Sequence, residues 1–588
     1  MEEDVEDMEA RTSRIKYNSN HSPEHSQVPF TMLSWRAYTP FLGMYRDVRN
    51  RLPYYISDWT DALNYRVIPS TLLTFFANIL PALAFAYELE QKTGKYGVNE
   101  ILISTFMAAA AFSIIGAQPL TIVGVTGPIT VLNTSMYTII QEADGPYPKP
   151  DYLEFVGWVY VISAIMHLLI AVFNLSNCLR GVTKFTCQTF GFYVGWIYLL
   201  LGVQVIARES ESNAPIASLT FSCFLAATFF TLHHIFMFAS ISPFWTHLVR
   251  RFLADYGLPI SVVAVSGLCY WGRFVEIDAQ KLPTVGGFAY TATDRQTWVV
   301  HFWNTPARWV GIAVAFAALL TLLFLFDHQV SAIIGQGSEF KLRKPPGFHW
   351  DFALLGVTTL LAGVFGLIAP NGLIPQTPIH TQSLVYTETR VVEEPDEVDG
   401  ETGDGNALGS SEARTEADAA HEKVSQPTHR RKIEEPAGVV EQRVTNLAQG
   451  GLALAFATGP FLQAVNKIPT GVLAGLFWSL GLQALYGNMI TEHISYLLKD
   501  RHKTARDDKY HRVRKSRIWL FVLFELVGFG ATYAVSVIQR SAIGFPVIII
   551  LLIPFRTYIV PKCGFTQTEL DILDGMAASD FTMRGLTL

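Results

Sequence analysis

Stretches of about 20 apolar residues recur along nearly the whole chain, the length a helix needs to cross a ~30 Å hydrocarbon core. Nine are plain: 101–116, 155–173, 190–206, 219–239, 309–326, 352–369, 471–485, 518–537 and 543–558. Three weaker ones, 67–87, 258–272 and 444–465, are more amphipathic and fit a membrane only inside a bundle. No set of soluble cores accommodates so many. Composition agrees: 16% of the 588 residues are charged and 50% hydrophobic, against roughly 25% charged in soluble proteins. A multidomain soluble protein, a disordered chain, a collagen-like chain and a disulfide scaffold are all excluded. The five cysteines (Cys178, Cys187, Cys223, Cys269, Cys563) form no CxxC or Cys/His spacing and read as small hydrophobes. The polar, acidic N-terminus is unlike a signal peptide, so membrane entry is expected at the first internal apolar segment.

Two further segments, 118–140 and 370–386, are apolar but interrupted by Pro, Gly, Gln and Thr. Counting each as one crossing gives fourteen, with both termini cytoplasmic. The basic residues then share one side: Arg36, Arg46, Arg49 and Arg51, Arg250 and Arg251, 341–344, and the run 499–517. Connections 87–99, 141–154, 208–217 and 272–306 fall outside. Residues 1–30 and 391–438 are polar, and the second stretch, rich in Glu, Asp, Gly, Ser and Pro, is expected to be a disordered cytoplasmic loop. Between residues 393 and 418 stand ten acids and one base, Arg414, and the first ten residues hold six acids. The formal charge of −6 therefore hides a remainder of +9, which sets topology and suits anionic lipid inside.

Irregular backbone survives in a membrane only where protein or a wet cavity satisfies it, and a broken segment in each half of a chain points to a transporter site. The first reads Gln118-Pro119-Leu120-Thr121-Ile122-Val123-Gly124-Val125-Thr126-Gly127-Pro128, the second Asn371-Gly372-Leu373-Ile374-Pro375-Gln376-Thr377-Pro378. In each, Thr suits an N-cap and the following Pro the first helical turn, at Thr126 and at Thr377. Half-helices 129–140 and 379–386 would then start near mid-membrane, with free N–H groups converging on an anion without metal or cofactor. Ordinary proline-kinked helices are the bland alternative for either segment alone; two in matching order, the third and the tenth crossing, favour a site.

Ionisable residues inside apolar sequence are the second filter. Asp327 and His328 sit late in a span, with no Lys or Arg within a helical turn of Asp327. Asp327 is a candidate acid or proton carrier; the bland reading is an interfacial or backbone-bonded acid. Glu525 reads as a structural partner, His233 and His234 as satisfied packing histidines, and 499–517 as topology-setting. No Walker A, GxSxG or HExxH motif occurs, which leaves a pump or protease without visible chemistry.

GAQPLTIVGVTGPITVLN (116–133) and FDHQVSAIIGQGSEFKLRKPPGFHWDF (326–352) resemble the bicarbonate/anion-exchanger transporter family. SDWTDALNYRVIPSTLLTFFANILPALAFA (57–86) and APNGLIPQTPIHTQSL (369–384) resemble its borate-exporter branch of fungi and plants. The similarity runs from about residue 53 to 565, outside the acidic loop. It implies an all-α polytopic membrane protein of two inverted seven-helix repeats, the half-helices preceded by short extended strands. A cytoplasmic tail (1–52) would precede a core domain (53–174, 307–390, 439–467) and a gate domain (175–306, 468–562), with a C-terminal tail (563–588). It further implies a homodimer and an elevator motion.

The family keeps an acid near the substrate in the eighth crossing, where Asp327 stands. Animal exchangers carry arginine at the start of the second half-helix, where this chain has Gln376. Losing the cation weakens a small anion's Coulomb partner, while an amide offers a hydroxyl-rich solute both donor and acceptor. The expected substrate is borate or boric acid, held by Thr126, Gly127, Gln376, Thr377, Asp327, Gln118 and Asn78, with Asp327 also coupling transport to protons or another ion. Metal and cofactor are not expected, nor nucleic acid; membrane lipids are. The plasma membrane is the expected residence, with vacuolar or endosomal membranes as alternatives. Bicarbonate/chloride exchange is the second reading and a non-transporting scaffold the third; a channel is a further option, and an enzyme has least support.

Overall fold

The computed structural model describes residues 38–143, 148–211, 215–239, 242, 244–395, 428–500, 508–538 and 541–586. A short helix α1 (Leu42–Arg51) and a helical turn α2 (Tyr55–Thr60) precede α3 (Val67–Thr93) and α4 (Val98–Ile114). Strand β1 (Val123–Gly124) leads into α5 (Gly127–Glu142), followed by α6 (Tyr152–Val172), α7 (Lys184–Glu211), α8 (Ile216–Ala239) and α9 (His247–Leu268). Next come α10 (Ala307–Gly335), α11 (Phe348–Phe365), β2 (Asn371–Gly372), α12 (Gln376–Ser383), β3 (Val385–Pro395) and β4 (Thr428–Val439). The chain ends with α13 (Val444–Phe456), α14 (Gly459–Val465), α15 (Thr470–Tyr486), α16 (Met489–Leu498), α17 (Lys515–Val537), α18 (Phe545–Pro554) and α19 (Gln567–Leu573).

Among the described residues eight helical stretches are long and apolar enough to cross a membrane, and three shorter apolar helices join them: Val98–Ile114, Phe252–Leu268 and Thr470–Tyr486. Their ends obey local chemistry. Helix α3 stops at Gly94, whose φ of 62° is the left-handed cap conformation, with its N–H on the Glu90 carbonyl. Helix α6 starts at Asp151, whose carboxylate accepts the N–H groups of Leu153 and Glu154. The stretch 444–465, expected as one crossing, is two helices, with Thr458 as the extended N-cap of α14 and Pro460 in its first turn.

Helices pack in recurring pairs: α4 on α13 and α6 on α11, α3 on α13 and α6 on α10, α8 on α15 and α7 on α17, α3 on α5 and α10 on α12, α8 on α9 and α17 on α18. Polar contacts gather at two ends. At one, Asp58 binds Arg51 (2.9 Å), Lys344 (2.8 Å) and Arg443 (2.9 Å), so the basic segment 341–344 and the approach to α3 share an end. Burial pushes the nearby Glu441 carboxyl up, against the pull of Arg51 and Lys344. At the other end Lys95 binds Asp151 (3.1 Å) and Asp294, and Ser218 meets the Asp278 carbonyl (2.8 Å). This puts residues of 87–99, 141–154 and 272–306 together there, as the charge pattern implied.

The acidic loop needs a correction. Its two flanks form an eleven-residue ladder, β3 antiparallel to β4, from Val385↔Val439 to Pro395↔Thr428. Coil was expected from composition, but β-branched residues alternate along the sequence of β3, a pattern that favours a strand. Residues 396–427, with most of the acids, lie outside the described residues, as does the N-terminal tail to residue 37.

Candidate functional site

The two broken segments meet. Val123 pairs with Gly372 and Gly124 with Asn371, antiparallel, and the Leu373 N–H donates to the Ile122 carbonyl at 2.9 Å. A four-residue ladder has no stability of its own; close packing holds it. A Cβ on Gly372 would fall 2.9 Å from the His328 Cα and the Ser331 Cβ, so β2 lies directly on α10. A Cβ on Gly124 would fall 2.9 Å from Asn78 Oδ1, which puts β1 against α3.

The half-helices leave the ladder differently. Helix α5 starts as the sequence implied: Thr126 is an extended N-cap, its Oγ1 accepts the Ile129 N–H at 3.4 Å, and Pro128 lies in the first turn. Helix α12 does not. Its N-cap is Pro375, and no side chain caps it. Thr377 is one residue inside, where its hydroxyl accepts from Ile122 N–H (3.1 Å) and meets the Ser331 hydroxyl (2.8 Å). Extended backbone pairing ends at Gly372, and a turn at 374–375 starts the helix two residues early. Thr377 is thus a buried brace between the two segments and α10, rather than a cap.

Gln376 opens α12. Its Nε2 donates to the Ala77 carbonyl on α3 at 3.2 Å, the Tyr198 side chain of α7 faces the same amide, and Oε1 has no partner. Asp327, buried to 2% exposure, accepts from Asn371 Nδ2 at 3.2 Å through Oδ2, and its Oδ1 is unpartnered. Helix α10 continues through Gly335, so Asp327 lies inside the helix beside the ladder and not at its interfacial end. Asn78 donates to Gln449 Oε1 (3.1 Å), Gln449 to Asn446 Oδ1 (3.1 Å), and Asn446 to the Thr121 carbonyl (3.5 Å), while Asn78 Oδ1 is unpartnered. Three buried oxygens without a partner, Asn78 Oδ1, Asp327 Oδ1 and Gln376 Oε1, therefore belong to residues at the crossing of the two segments, and the adjacent His328 ring, with its one N–H, is unpartnered as well. Such groups are costly unless a ligand or water pairs with them.

Gln118 is placed apart from this centre. Its backbone N–H donates to Asp351 Oδ2 (2.9 Å) and its Oε1 accepts from Leu120 N–H (3.3 Å), in the polar cluster at the Arg51/Asp58 end. Thr126, Gly127, Gln376, Asp327 and Asn78 converge on the ladder; Gln118 does not. Asn371, Gln449, Asn446 and Ser331 were missed. Asn446 and Gln449 stand three apart in an apolar segment, one face of a helix, and that spacing was the available signal.

Other intramembrane ionisable groups lie elsewhere. Glu525 is 3.7 Å from His493 Nδ1, both fully buried. Of the two histidines expected to be satisfied in packing, His234 Nδ1 meets the Phe230 carbonyl at 2.8 Å, while His234 Nε2 and His233 Nδ1 have no partner. Among the described residues no three His, Cys, Asp or Glu side chains group as a metal site.

The HCO3- transporter integral membrane domain matches residues 39–215, 201–398 and 406–578. The chain is 40% identical to "Putative transporter C543.05c" of Schizosaccharomyces pombe, over 90% of this chain and 94% of that one. It is 35% identical to "Boron transporter 1" of Saccharomyces cerevisiae, over 93% and 87%. It is 26% identical to "Anion exchange protein 3" of Plecturocebus moloch, over 91% of this chain and 43% of that one.

Proposed function

The chain belongs to the HCO3- transporter family, a family of membrane transporters, and fits its boron-transporter branch; from that premise we propose that it is a secondary-active borate exporter. The observation that carries this reading is the cluster of unpartnered buried polar groups, acceptors and donors together, at the crossed half-helices, which suits a solute whose hydroxyls both donate and accept. Asn78 Oδ1, Asp327 Oδ1 and Gln376 Oε1 need donors. Borate, B(OH)4⁻, supplies four O–H donors and a negative charge, which the two helix N-termini favour. Bicarbonate has one O–H and chloride none. Thr126 and Gly127 shape one N-terminus and Gln376 recognises a hydroxyl, while Thr377 holds the geometry without touching substrate. Asp327 beside Asn371 changes charge with its proton and so couples flux to a proton or another cation.

An elevator of fourteen crossings in inverted repeats is part of the same reading. Its support is the packing: with α3 as crossing one and α18 as fourteen, adding seven turns α3 on α13 into α10 on α6, α8 on α15 into α17 on α7, and α3 on α5 into α10 on α12. Helices α3–α6 and α10–α13 form the moving core, and α7–α9 with α15, α17 and α18 form the gate, which pairs with a second copy. The plasma membrane is the proposed residence.

The test is cellular. Cells lacking the protein should retain boron under high external boric acid and release it when the gene is restored. Equal intracellular boron with and without the protein would overturn the reading. Bicarbonate/chloride exchange is the second reading, favoured by the match to an anion exchange protein along 91% of the chain.

A further inference from the structure

Of the stretches that join the proposed core to the gate, 269–306 and 457–469 share the end of the molecule opposite the Arg51/Asp58 cluster. They are bonded to each other. Lys281 pairs with Pro469 in an antiparallel bridge, flanked by the Leu282 N–H on the Ile468 carbonyl (3.3 Å) and the Thr470 N–H on the Gln280 carbonyl (2.9 Å). Proline fits there, because the backbone groups of such a pair point away from the partner strand and no N–H is needed. Asn466 Nδ2 extends the bridge, donating to the Leu282 carbonyl (2.9 Å) and to Thr284 Oγ1 (3.2 Å), and Leu282 is fully buried.

Each stretch changes partners across a short joint. Residues 278–284 and 466–470 are tied to the gate: Ser218 Oγ of α8 donates to the Asp278 carbonyl (2.8 Å), the Tyr270 hydroxyl just after α9 donates to the Lys467 carbonyl (3.2 Å), and Thr470 opens α15. From Gly286 onward the partners belong to the core. Asn99 Nδ2 of α4 donates to the Gly286 (2.8 Å) and Ala289 (2.7 Å) carbonyls, and Glu100 accepts the Thr291 N–H (2.7 Å) and Oγ1 (2.8 Å). The Val300 N–H donates to the Val364 carbonyl in α11 (2.8 Å), and the Phe288 N–H to the Ala457 carbonyl at the end of α13 (3.3 Å). The change from gate to core therefore falls at Val285 and Gly286 in one stretch and at Thr458 and Gly459 in the other. These joints are neighbours: a Cβ on Gly287 would fall 3.1 Å from the Gly459 N and 3.2 Å from the Ala457 carbonyl oxygen. A Cβ on Gly286 or on Gly459 would meet nothing within 4 Å, so both joint glycines have room to rotate.

We infer, from the division into core and gate on which this rests, that 280–284 and 466–470 form a clasp that belongs to the gate and stays closed through transport, while the core turns against it about the paired joints at 285–286 and 458–459. Two separate tethers would let the core slide and tilt independently at each. Two tethers clasped together and jointed side by side restrict it to turning about one line. Hinges of this kind are a few residues at element ends that absorb the backbone change while the pieces on either side keep their bonds.

The test uses the full chain in proteoliposomes, with its native cysteines replaced by serine. Lys281→Cys with Pro469→Cys sets two thiols at an antiparallel pair, within the span of a disulfide. Oxidation should link them and leave boron flux within about twofold of the reduced sample, since a clasp that never opens loses nothing when locked. A loss of about tenfold on oxidation, restored by reductant, would show that the clasp opens and would overturn the inference. Spin-label distances read the motion without relying on boron as the substrate. Lys467→Cys with Ile216→Cys reports clasp against gate, and Lys467→Cys with Val299→Cys reports clasp against core. Across imposed pH and ion gradients the first distance should stay constant and the second should shift. A shift in the first as large as in the second, or a second distance that never changes, would overturn the clasp. A constant first distance and a moving second one without boron flux would remove borate as the substrate and uphold the clasp.

Discussion

The two broken segments look alike in sequence and end differently in space. Helix α5 is sixteen residues long and its first turn is closed by its own Thr126. Helix α12 is eight residues long, has no side-chain cap, and lends its Thr377 to the neighbouring segment. One N-terminus is finished locally; the other is held from outside and leaves Gln376 with a free carbonyl oxygen. Both supply a positive dipole end; in the proposed function selectivity is concentrated on the second, where Gln376 opens the helix and Asn371 bonds Asp327.

Removing the acid that anchors the second segment should have the largest effect. Asp327→Asn is expected to lower boron flux by at least about tenfold with normal surface protein, since an amide cannot exchange the proton that the proposed coupling needs. Vesicle flux normalised to surface biotinylation reads it, and full activity would remove Asp327 from the mechanism. Next is Gln376→Arg, which places a cation at the helix start: boron flux should fall about tenfold while chloride or bicarbonate flux rises. Unchanged selectivity would mean that the residue at position 376 does not choose the substrate.

The third contrast sets the two threonines against each other. Thr377→Val keeps the shape but strands the Ile122 N–H and the Ser331 hydroxyl, an expected loss of about 1–3 kcal/mol. Thr126→Ala loses one cap bond, about 1 kcal/mol. Thermal unfolding in detergent should rank Thr377→Val below Thr126→Ala; the reverse order would make the two ends equivalent.

The smallest effect lies away from both segments. Arg514 holds the Glu569 carboxyl down at about 2 through a paired hydrogen bond, aided by the Thr566 N–H at the start of α19. Its folded value lies below its unfolded one, so the contribution is complete above the unfolded value and lost as pH falls through about 2. Amide protection over 567–573, after correction for the intrinsic pH dependence of exchange, should fall across that window in wild type and be already lowered, without a further pH step, in Glu569→Gln, with transport unaltered.

Much of this was legible in the sequence, for identifiable reasons. Apolar length and basic loops fixed the bundle and the sharing of ends, because burial and lipid charge act on composition. The break at Thr126-Gly127-Pro128 was readable because an N-cap is a local device. Thr377-Pro378 carries the same letters but is used through partners 46 and 255 residues away, which local pattern does not encode. Asn371 was hidden for the same reason: its role is to pair with Gly124 and reach Asp327. Gln118 lies at the Arg51/Asp58 end because a turn at 119–120, tied by the Leu120 N–H to Gln118 Oε1, separates it from the ladder. The β3–β4 ladder was missed because an acidic average masked alternating β-branched positions.

The most direct measurement is boron flux in proteoliposomes of the purified full chain under imposed pH and ion gradients, with chloride- and bicarbonate-loaded vesicles alongside. Saturable boron flux driven by a gradient, absent in Asp327→Asn and stronger than chloride or bicarbonate exchange, is the expected result. Robust chloride/bicarbonate exchange with no boron flux would contradict the assignment of substrate, and non-saturating flux insensitive to Asp327 would contradict a carrier built on the paired half-helices.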